Sequence, residues 1–200
     1  MYQPQDFFFN KAKKEGYPAR SVYKLKELDK KYNLFQPGQS ILDLGCAPGS
    51  WSIYIGQQIN PGGKILGIDK QKVDIKIVGS FFIQEDIFKI SFEELRKIMS
   101  QIGIRDNFHG IVSDMAPAMS GIKILDAGRS AELAKRVIDL AENFLKPEGF
   151  LVLKVMEGGE HDIIRSRIRN LFKWQKQIRP KAVRRNSREI YIIANGFKRD

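Results

Sequence analysis

Asp43-Leu44-Gly45-Cys46-Ala47-Pro48-Gly49 closes one apolar stretch, Ser40 to Leu44, and leads into a helical one, Trp51 to Ile59. Glycines at a strand-to-helix junction let the backbone turn sharply and approach a ligand closely, and in an open α/β sheet that junction is the usual ligand crevice. The loop departs from G-x-G-x-x-G, because Ala47 and Ser50 stand where the second and third glycines belong, which disfavours a nicotinamide dehydrogenase. A P-loop is excluded as well, since Gly45 to Gly49 is too short and no Lys-Ser or Lys-Thr pair follows.

Outward from this loop, short β-rich runs alternate with amphipathic stretches, the pattern of an α/β protein with a mostly parallel sheet. Strands are predicted at Ser40 to Leu44, Lys64 to Asp69, Phe81 to Gln84, Gly110 to Asp114, Gly149 to Met156 and Glu189 to Ala194. Helices are predicted at Trp51 to Ile59, Phe92 to Ile102, Ala127 to Leu145 and Asp162 to Phe172. In the third of these, Leu133, Val137, Leu140, Ala141 and Phe144 repeat at helical spacing, and Lys146-Pro147-Glu148-Gly149 stops it. Before the first strand, Ser21 reads as an N-cap and Val22, Leu25 and Leu28 give a further helix one apolar side, with Lys24 and Lys26 pointing elsewhere. No repeat, low-complexity tract or linker divides the chain, so one domain over residues 1–200 is expected, with residues 1–38 a basic helical segment capping a core of 39–200.

Two further strand ends carry carboxylates. Asp69 closes Leu66-Gly67-Ile68-Asp69, where it can accept hydrogen bonds from the two hydroxyls of a ribose. Asp86 follows Phe81 to Glu85 and can accept a bond from an exocyclic adenine amine. Either is also readable as a loop or capping aspartate, but three such features at successive strand ends point together to an adenosine ligand without a phosphate loop.

The 200 residues carry 34 basic and 23 acidic side chains, a formal charge of +11. That surplus favours a polyanionic partner, nucleic acid or an anionic membrane surface. Lys11 to Lys31 holds eight basic residues against three acidic, and Arg165 to Asp200 holds twelve against two. The two ends are therefore expected to share one basic face, in which Arg179 to Arg188, with Pro180, Asn186 and Ser187, reads as a mobile loop. A single cysteine, Cys46, rules out an internal disulfide and a Cys-rich zinc site and fits a reducing cytoplasm. His109 and His161 lie far apart, so no metal is expected. No apolar run approaches the roughly 20 residues that span a bilayer.

A lysine inside the apolar run Gly149-Phe150-Leu151-Val152-Leu153-Lys154-Val155-Met156 is costly unless its ammonium is paired or works in a cleft. Asp114 closes Ile111-Val112-Ser113-Asp114 and so reaches the same carboxyl edge of a parallel sheet. Glu189 begins Glu189-Ile190-Tyr191-Ile192-Ile193, and its start lies on that edge if this strand runs antiparallel. Lys24 joins them if its helix folds across the edge.

With these residues the chain resembles the FtsJ/RrmJ-type ribose 2′-O-methyltransferases, and within them the members acting on large-subunit ribosomal RNA. The likeness covers Ala19 to Leu25, Asp43 to Trp51, Ser113-Asp114-Met115-Ala116-Pro117, Leu153-Lys154-Val155 and Ser187-Arg188-Glu189-Ile190-Tyr191. It implies a Rossmann-like fold with a mostly parallel seven-stranded sheet, last strand antiparallel, and helices on both faces. It also implies a catalytic tetrad Lys24, Asp114, Lys154 and Glu189, and an S-adenosylmethionine site made by Gly49, Trp51, Asp69, Asp86 and Asp114. The implied activity is 2′-O-methylation of a uridine ribose in 23S ribosomal RNA, with the large ribosomal subunit as partner; the short single domain is expected to be a monomer, and the lone cysteine fits the cytoplasm. Cys46 replaces a commoner alanine of the family, Ser50 a frequent glycine, and Ala118 an asparagine that often follows the Ala-Pro pair.

Methyl transfer from a sulfonium is an in-line displacement that must align the 2′-oxygen and remove its proton. Lys154 can serve as base if partly neutral, or can orient the oxygen and stabilise developing charge; the residues leave both roles open. Pyrimidine C5 methylation normally needs a cysteine nucleophile, and Cys46 lies in the cofactor loop. Base-amine methylation often uses an Asn/Asp-Pro-Pro-aromatic turn, which Asp114-Met115-Ala116-Pro117 lacks. Action on tRNA, and a non-catalytic RNA-binding role in ribosome assembly, are the alternatives. Phosphate contacts are assigned to Lys11, Lys13, Lys14, Arg20, Lys181, Arg184, Arg185 and Arg188. Charge reversal at Arg184 and Arg185 is expected to weaken RNA binding and its salt dependence with cofactor affinity unchanged, measured by RNA titrations at several salt concentrations.

Overall fold

The computed structural model describes residues 4–158, 160–184 and 186–199, with side chains from Phe7 onward. Two helices, α1 (Pro4–Lys14) and α2 (Val22–Tyr32), precede the alternating region of β1 (Ser40–Leu44), α3 (Ser50–Ile59), β2 (Lys64–Asp69), β3 (Ser80–Gln84) and α4 (Phe92–Gln101). The chain continues through β4 (Phe108–Ser113), α5 (Lys123–Phe144), β5 (Leu145–Met156), α6 (His161–Leu171), β6 (Phe172–Ile178) and β7 (Glu189–Phe197). The strands form one seven-stranded sheet in the order β3-β2-β1-β4-β5-β7-β6. Among the described residues only β7 runs against its neighbours, pairing antiparallel with both β5 and β6. The strand order reverses beside β1, which pairs in parallel with β2 on one side and β4 on the other, so the β1–α3 loop sits at the switch point.

Strand alternation divides the core into two layers. Leu42, Leu44, Ile111, Leu151, Leu153, Val155, Ile190 and Ile192 face α4, α5 and α6. Ile41, Val112, Phe150, Val152, Tyr191 and Ile193 face α2 and α3, where Leu25, Leu28, Trp51 and Ile55 cover them. Lys154 continues the Phe150–Val152 parity and so emerges on the α2 side of the sheet. That parity decides which helix can answer its charge. Among the described residues no helix is long and apolar enough to cross a membrane.

Several local expectations need correction. Ser21 does not cap α2 through its side chain: it sits in right-handed helical geometry without a capping bond, because a turn at Arg20 already feeds the helix. Its carbonyl instead accepts Trp51 Nε1–H at 3.0 Å. Helix α5 begins four residues before Ala127, and β5 starts at Leu145 instead of Gly149. There the Lys146-Pro147-Glu148-Gly149 stretch is absorbed as an irregularity in the β4–β5 pairing, with Glu148 at φ 65°. Strand β6 falls where the sequence predicts none. Its alternation is mostly Lys and Gln, as suits an edge strand, and only Phe172 is buried.

In the segment 179–188, where a mobile loop is expected, the described residues make specific contacts with the rest of the fold. Ala182 and Val183 are buried, and Arg179 donates to the carbonyls of Arg184, at 3.3 Å, and Ser187. Arg20 Nη2 donates to the Ala182 carbonyl at 2.9 Å, and the Lys181 amide to Glu27 Oε2 at 2.8 Å, so the N-terminal helices and this segment do meet.

Asp29, buried near the end of α2, holds that helix to its surroundings. Its Oδ1 accepts the amides of Leu34 at 2.8 Å and Phe35 at 3.2 Å, and its Oδ2 accepts the Tyr54 hydroxyl of α3 at 2.6 Å. Asp29→Ala leaves these donors without their acceptor and is expected to cost about 3 kcal/mol, read from urea unfolding midpoints.

Candidate active site

Lys154 and Tyr191 stand directly opposite in the antiparallel β5–β7 ladder, and Met156 stands opposite Glu189, so the antiparallel turn of β7 brings Glu189 to the carboxyl edge of β5. Asp114 follows the end of β4 on the same edge. Lys154 Nζ lies 3.0 Å from Asp114 Oδ1 and also donates to the Asp114 carbonyl, with only 6% of its side chain exposed. Helix α2 crosses this edge and delivers Lys24, whose Nζ lies 2.7 Å from Glu189 Oε2 and 3.8 Å from Asp114 Oδ1. The four predicted residues are thus brought together as two cations and two anions, each charge answered without relying on solvent.

Tyr191 is the member that sequence reasoning missed. Its hydroxyl donates to Asp114 Oδ1 at 2.5 Å, its ring lies 6.1 Å from that of Trp51, and Lys24 Nζ sits 5.6 Å from its ring centre. Burial first, and then Asp114, push the phenol far above its ordinary value, so it stays a donor. Burial alone would raise the Asp114 carboxyl, but the Lys154 and Lys24 ammonium groups and the Tyr191 bond outweigh it and hold the group below the usual carboxylate range. A tyrosine inside the apolar run Ile190-Tyr191-Ile192-Ile193-Ala194 was the available signal: a buried hydroxyl needs a partner.

Alongside this cluster opens a cavity of about 590 Å³ whose wall includes Gly45, Ala47, Ile68, Asp69, Ile87, Phe88, Asp114, Met115 and the Ala116-Pro117-Ala118 run. That size and mixed apolar and polar lining suit a nucleoside-sized ligand. Gly45 has φ 75°, and a Cβ there would come within 2.9 Å of the Met115 backbone, so only glycine permits this close approach. Asp69 Oδ2 accepts the Ala47 amide at 2.9 Å and Oδ1 the Gln71 amide at 2.8 Å, leaving further lone pairs on both oxygens.

The other expected cofactor residues stand differently. Gly49, at φ 106°, is packed against Ile75, and Trp51 is buried between Ser21 and Tyr191. Asp86 accepts the Phe88 amide at 3.1 Å and pairs with Lys70 at 3.0 Å, and the residues around it, Glu85, Ile87 and Phe88, form the cavity wall. Arg136 of α5 fixes this stretch, donating to the carbonyls of Ile87 at 3.1 Å and Ile90 at 2.6 Å. Beneath the cavity, Asp43 is fully buried and accepts the Ser52 hydroxyl at 2.6 Å; burial pushes its carboxyl up to about 7. Cys46 is buried, and that burial pushes its thiol above the ordinary value, which removes it as a nucleophile.

Of the expected RNA contacts, Lys11, Lys13, Lys14, Lys181, Arg184 and Arg188 are exposed, while Arg185 lies outside the described residues. Arg188 is exposed yet partly engaged, donating to the Glu157 carbonyl. Arg20 is half-buried, with its guanidinium 6.0 Å from the Phe8 ring centre and bonded to Ala182, so it fastens the segment instead of standing free for phosphate.

The family model described as FtsJ-like methyltransferase matches residues 17–197. A Bdellovibrio bacteriovorus protein named ribosomal RNA large subunit methyltransferase E is 38% identical over 192 residues, covering 96% of each chain. A protein of the same name from Desulfosudis oleivorans is 40% identical and covers 97% of this chain and 90% of its own. Among solved structures, a Plasmodium falciparum protein described as a ribosomal RNA methyltransferase superposes with a TM-score of 0.81 at 31% identity, over 90% of this chain and 98% of that one.

Because Asp114 is held below the usual range, its contribution to stability is present above the unfolded carboxylate value of about 3.9 and is lost as pH falls through the lower folded value. Lys154→Met removes one of the cations that depress it, so the acid loss of stability is expected to move to higher pH. Urea midpoints of the two proteins across the acid range check this.

Proposed function

Because the chain belongs to the FtsJ-like methyltransferase family, we propose that it methylates the 2′-hydroxyl of a uridine ribose in 23S ribosomal RNA, with S-adenosylmethionine as donor. It is an RNA methyltransferase that, in this reading, works as a cytoplasmic monomer on the large ribosomal subunit, residues 1–38 capping a cofactor-binding core of 39–200. The observation that carries the proposal is that Asp114 lines the cavity and at the same time accepts Lys154, Lys24 and Tyr191.

Asp69, with lone pairs still open on both oxygens, would take the ribose hydroxyls of the cofactor. Ile87, Phe88 and Met115 would enclose its apolar parts, and Gly45 and Ala47 would let it lie close to the backbone. Gly49 and Trp51 support this site from behind, and Asp86 does so through the Phe88 amide it holds. When bound, S-adenosylmethionine supplies an electrophilic methyl carbon.

Two N–H directions of the Lys154 ammonium point at Asp114, to its carboxylate and its carbonyl, and a third remains for an acceptor oxygen. The arrangement favours a Lys154 that orients the 2′-oxygen for in-line attack over one that takes the proton itself, the hydroxyl proton passing to solvent water as the new carbon–oxygen bond forms. Asp114 keeps the ammonium in place, and Tyr191 and Lys24 keep Asp114 in place. Glu189 balances Lys24, so the cluster carries no net charge of its own. Alignment of the hydroxyl for in-line attack supplies the rest of the rate.

Methyl-labelled S-adenosylmethionine offered with tRNA, free ribosomal RNA and large subunits tests the reading. The label is expected in ribosomal RNA at a linkage that resists alkali, since a methylated 2′-oxygen cannot attack its phosphate. Lys154→Ala should lower the rate by about 10²-fold or more. Label on a base, transfer to tRNA alone, or an undiminished Lys154→Ala rate would overturn it.

A further inference from the structure

Between the end of β4 and the first turn of α5 the chain exposes Met119 at 63%, Ile122 at 61%, Ile124 at 86% and Leu125 at 43%. Large apolar side chains crowded this way beside a cavity are costly in water unless something covers them in use. They are held outward on purpose-built backbone: buried Asp126 accepts both the Ser120 amide at 2.8 Å and the Ser120 hydroxyl at 2.7 Å. The Ser120 oxygen in turn accepts the Ile122 amide at 3.2 Å.

The segment is continuous with the site on both sides. Ala116, Pro117 and Ala118 form the cavity wall leading from Asp114, and Arg129 clamps it by donating to the Ala118 carbonyl at 3.1 Å. About two turns into α5, Ser130 accepts the Met156 amide at 3.1 Å at the end of the Lys154 strand. A Cβ on Gly158 would lie 3.9 Å from Ala127 Cβ and 2.8 Å from Arg188 Nη2, so the helix start also borders the arginine segment.

We propose that Met119, Ile122, Ile124 and Leu125 form a platform on which unpaired bases of the RNA next to the acceptor ribose pack. This rests on the methylation reading above. Base faces are apolar and stack without regard to sequence, while Lys123, Arg129 and Arg188 around the platform match the adjoining phosphates. A protein partner fits less well, because four side chains are far fewer than the roughly 20–30 residues each side of a stable protein interface contributes.

The test combines Met119→Ser, Ile122→Ser and Ile124→Ser, exposed positions where the fold tolerates change. The expected result is a loss of about tenfold or more in affinity for a single-stranded oligouridylate. The salt slope and cofactor affinity should stay as in the wild type, since no phosphate contact is removed. An abasic oligomer should bind both proteins equally, and Ile122→Tyr alone should bind the oligouridylate at least as tightly as wild type. Equal oligouridylate affinity of the triple variant, an equal loss on the abasic oligomer, or a defect confined to assembled large subunits would each overturn the platform, the last by pointing to a protein occupant. These readouts need no methyl transfer. Wild-type protein that shows the binding differences yet leaves the ribose unmethylated would sink the methylation reading and keep the platform.

Discussion

A lysine near the middle of a seven-stranded sheet constrains everything around it. Lys154 cannot be solvated where it stands, so an anion must be brought to it, and Asp114 at the end of the neighbouring strand is that anion. Asp114 then lies against two ammonium groups, which asks for a further acceptor for Lys24; Glu189, delivered by the one reversed strand, answers it. An all-parallel sheet would have put the start of β7 on the opposite edge. The reversal of β7 is thus tied to the charge cluster as closely as the residues are.

Two halves of the site share Asp114. On one side it is part of the cavity wall that runs through Met115 to Ala118, and on the other it anchors the lysines. The cavity at the switch point of the sheet and the Lys154 ammonium therefore meet at one carboxylate. Tyr191 fixes the direction of that carboxylate, and its ring is itself held by Trp51, whose indole is bonded to the turn before α2. The helix carrying Lys24 and the strand carrying Tyr191 are in this way positioned by the same indole.

The basic ends of the chain meet where the Ala182 carbonyl accepts from Arg20 and Glu27 accepts the Lys181 amide, while other arginines spend donors on carbonyls away from the N-terminal helices. Arg20 reaches Ala182, Arg179 reaches Arg184 and Ser187, and Arg188 reaches Glu157. Some of the surplus charge is therefore structural. Lys11, Lys13, Lys14, Lys181 and Arg184 keep their side chains exposed.

Hydrophobic periodicity and glycine placement were enough to locate six strands, the helices between them, the β1–α3 loop and the lysine that needed a partner, because these depend on near neighbours in the chain. Strand β6 escaped because four of its seven residues are Lys or Gln, and the predicted helix Asp162 to Phe172 takes its first residue. The platform escaped because exposure is not a property of sequence. Lys24 was legible only as a condition, Asp86 and Trp51 without the contacts that hold them, and Tyr191 was not singled out. What decided them was side-chain parity across the sheet and the crossing of α2. Contacts between residues 24, 114, 154 and 189 join four separate elements, and local sequence carries no information on which elements pack together until the whole core has closed.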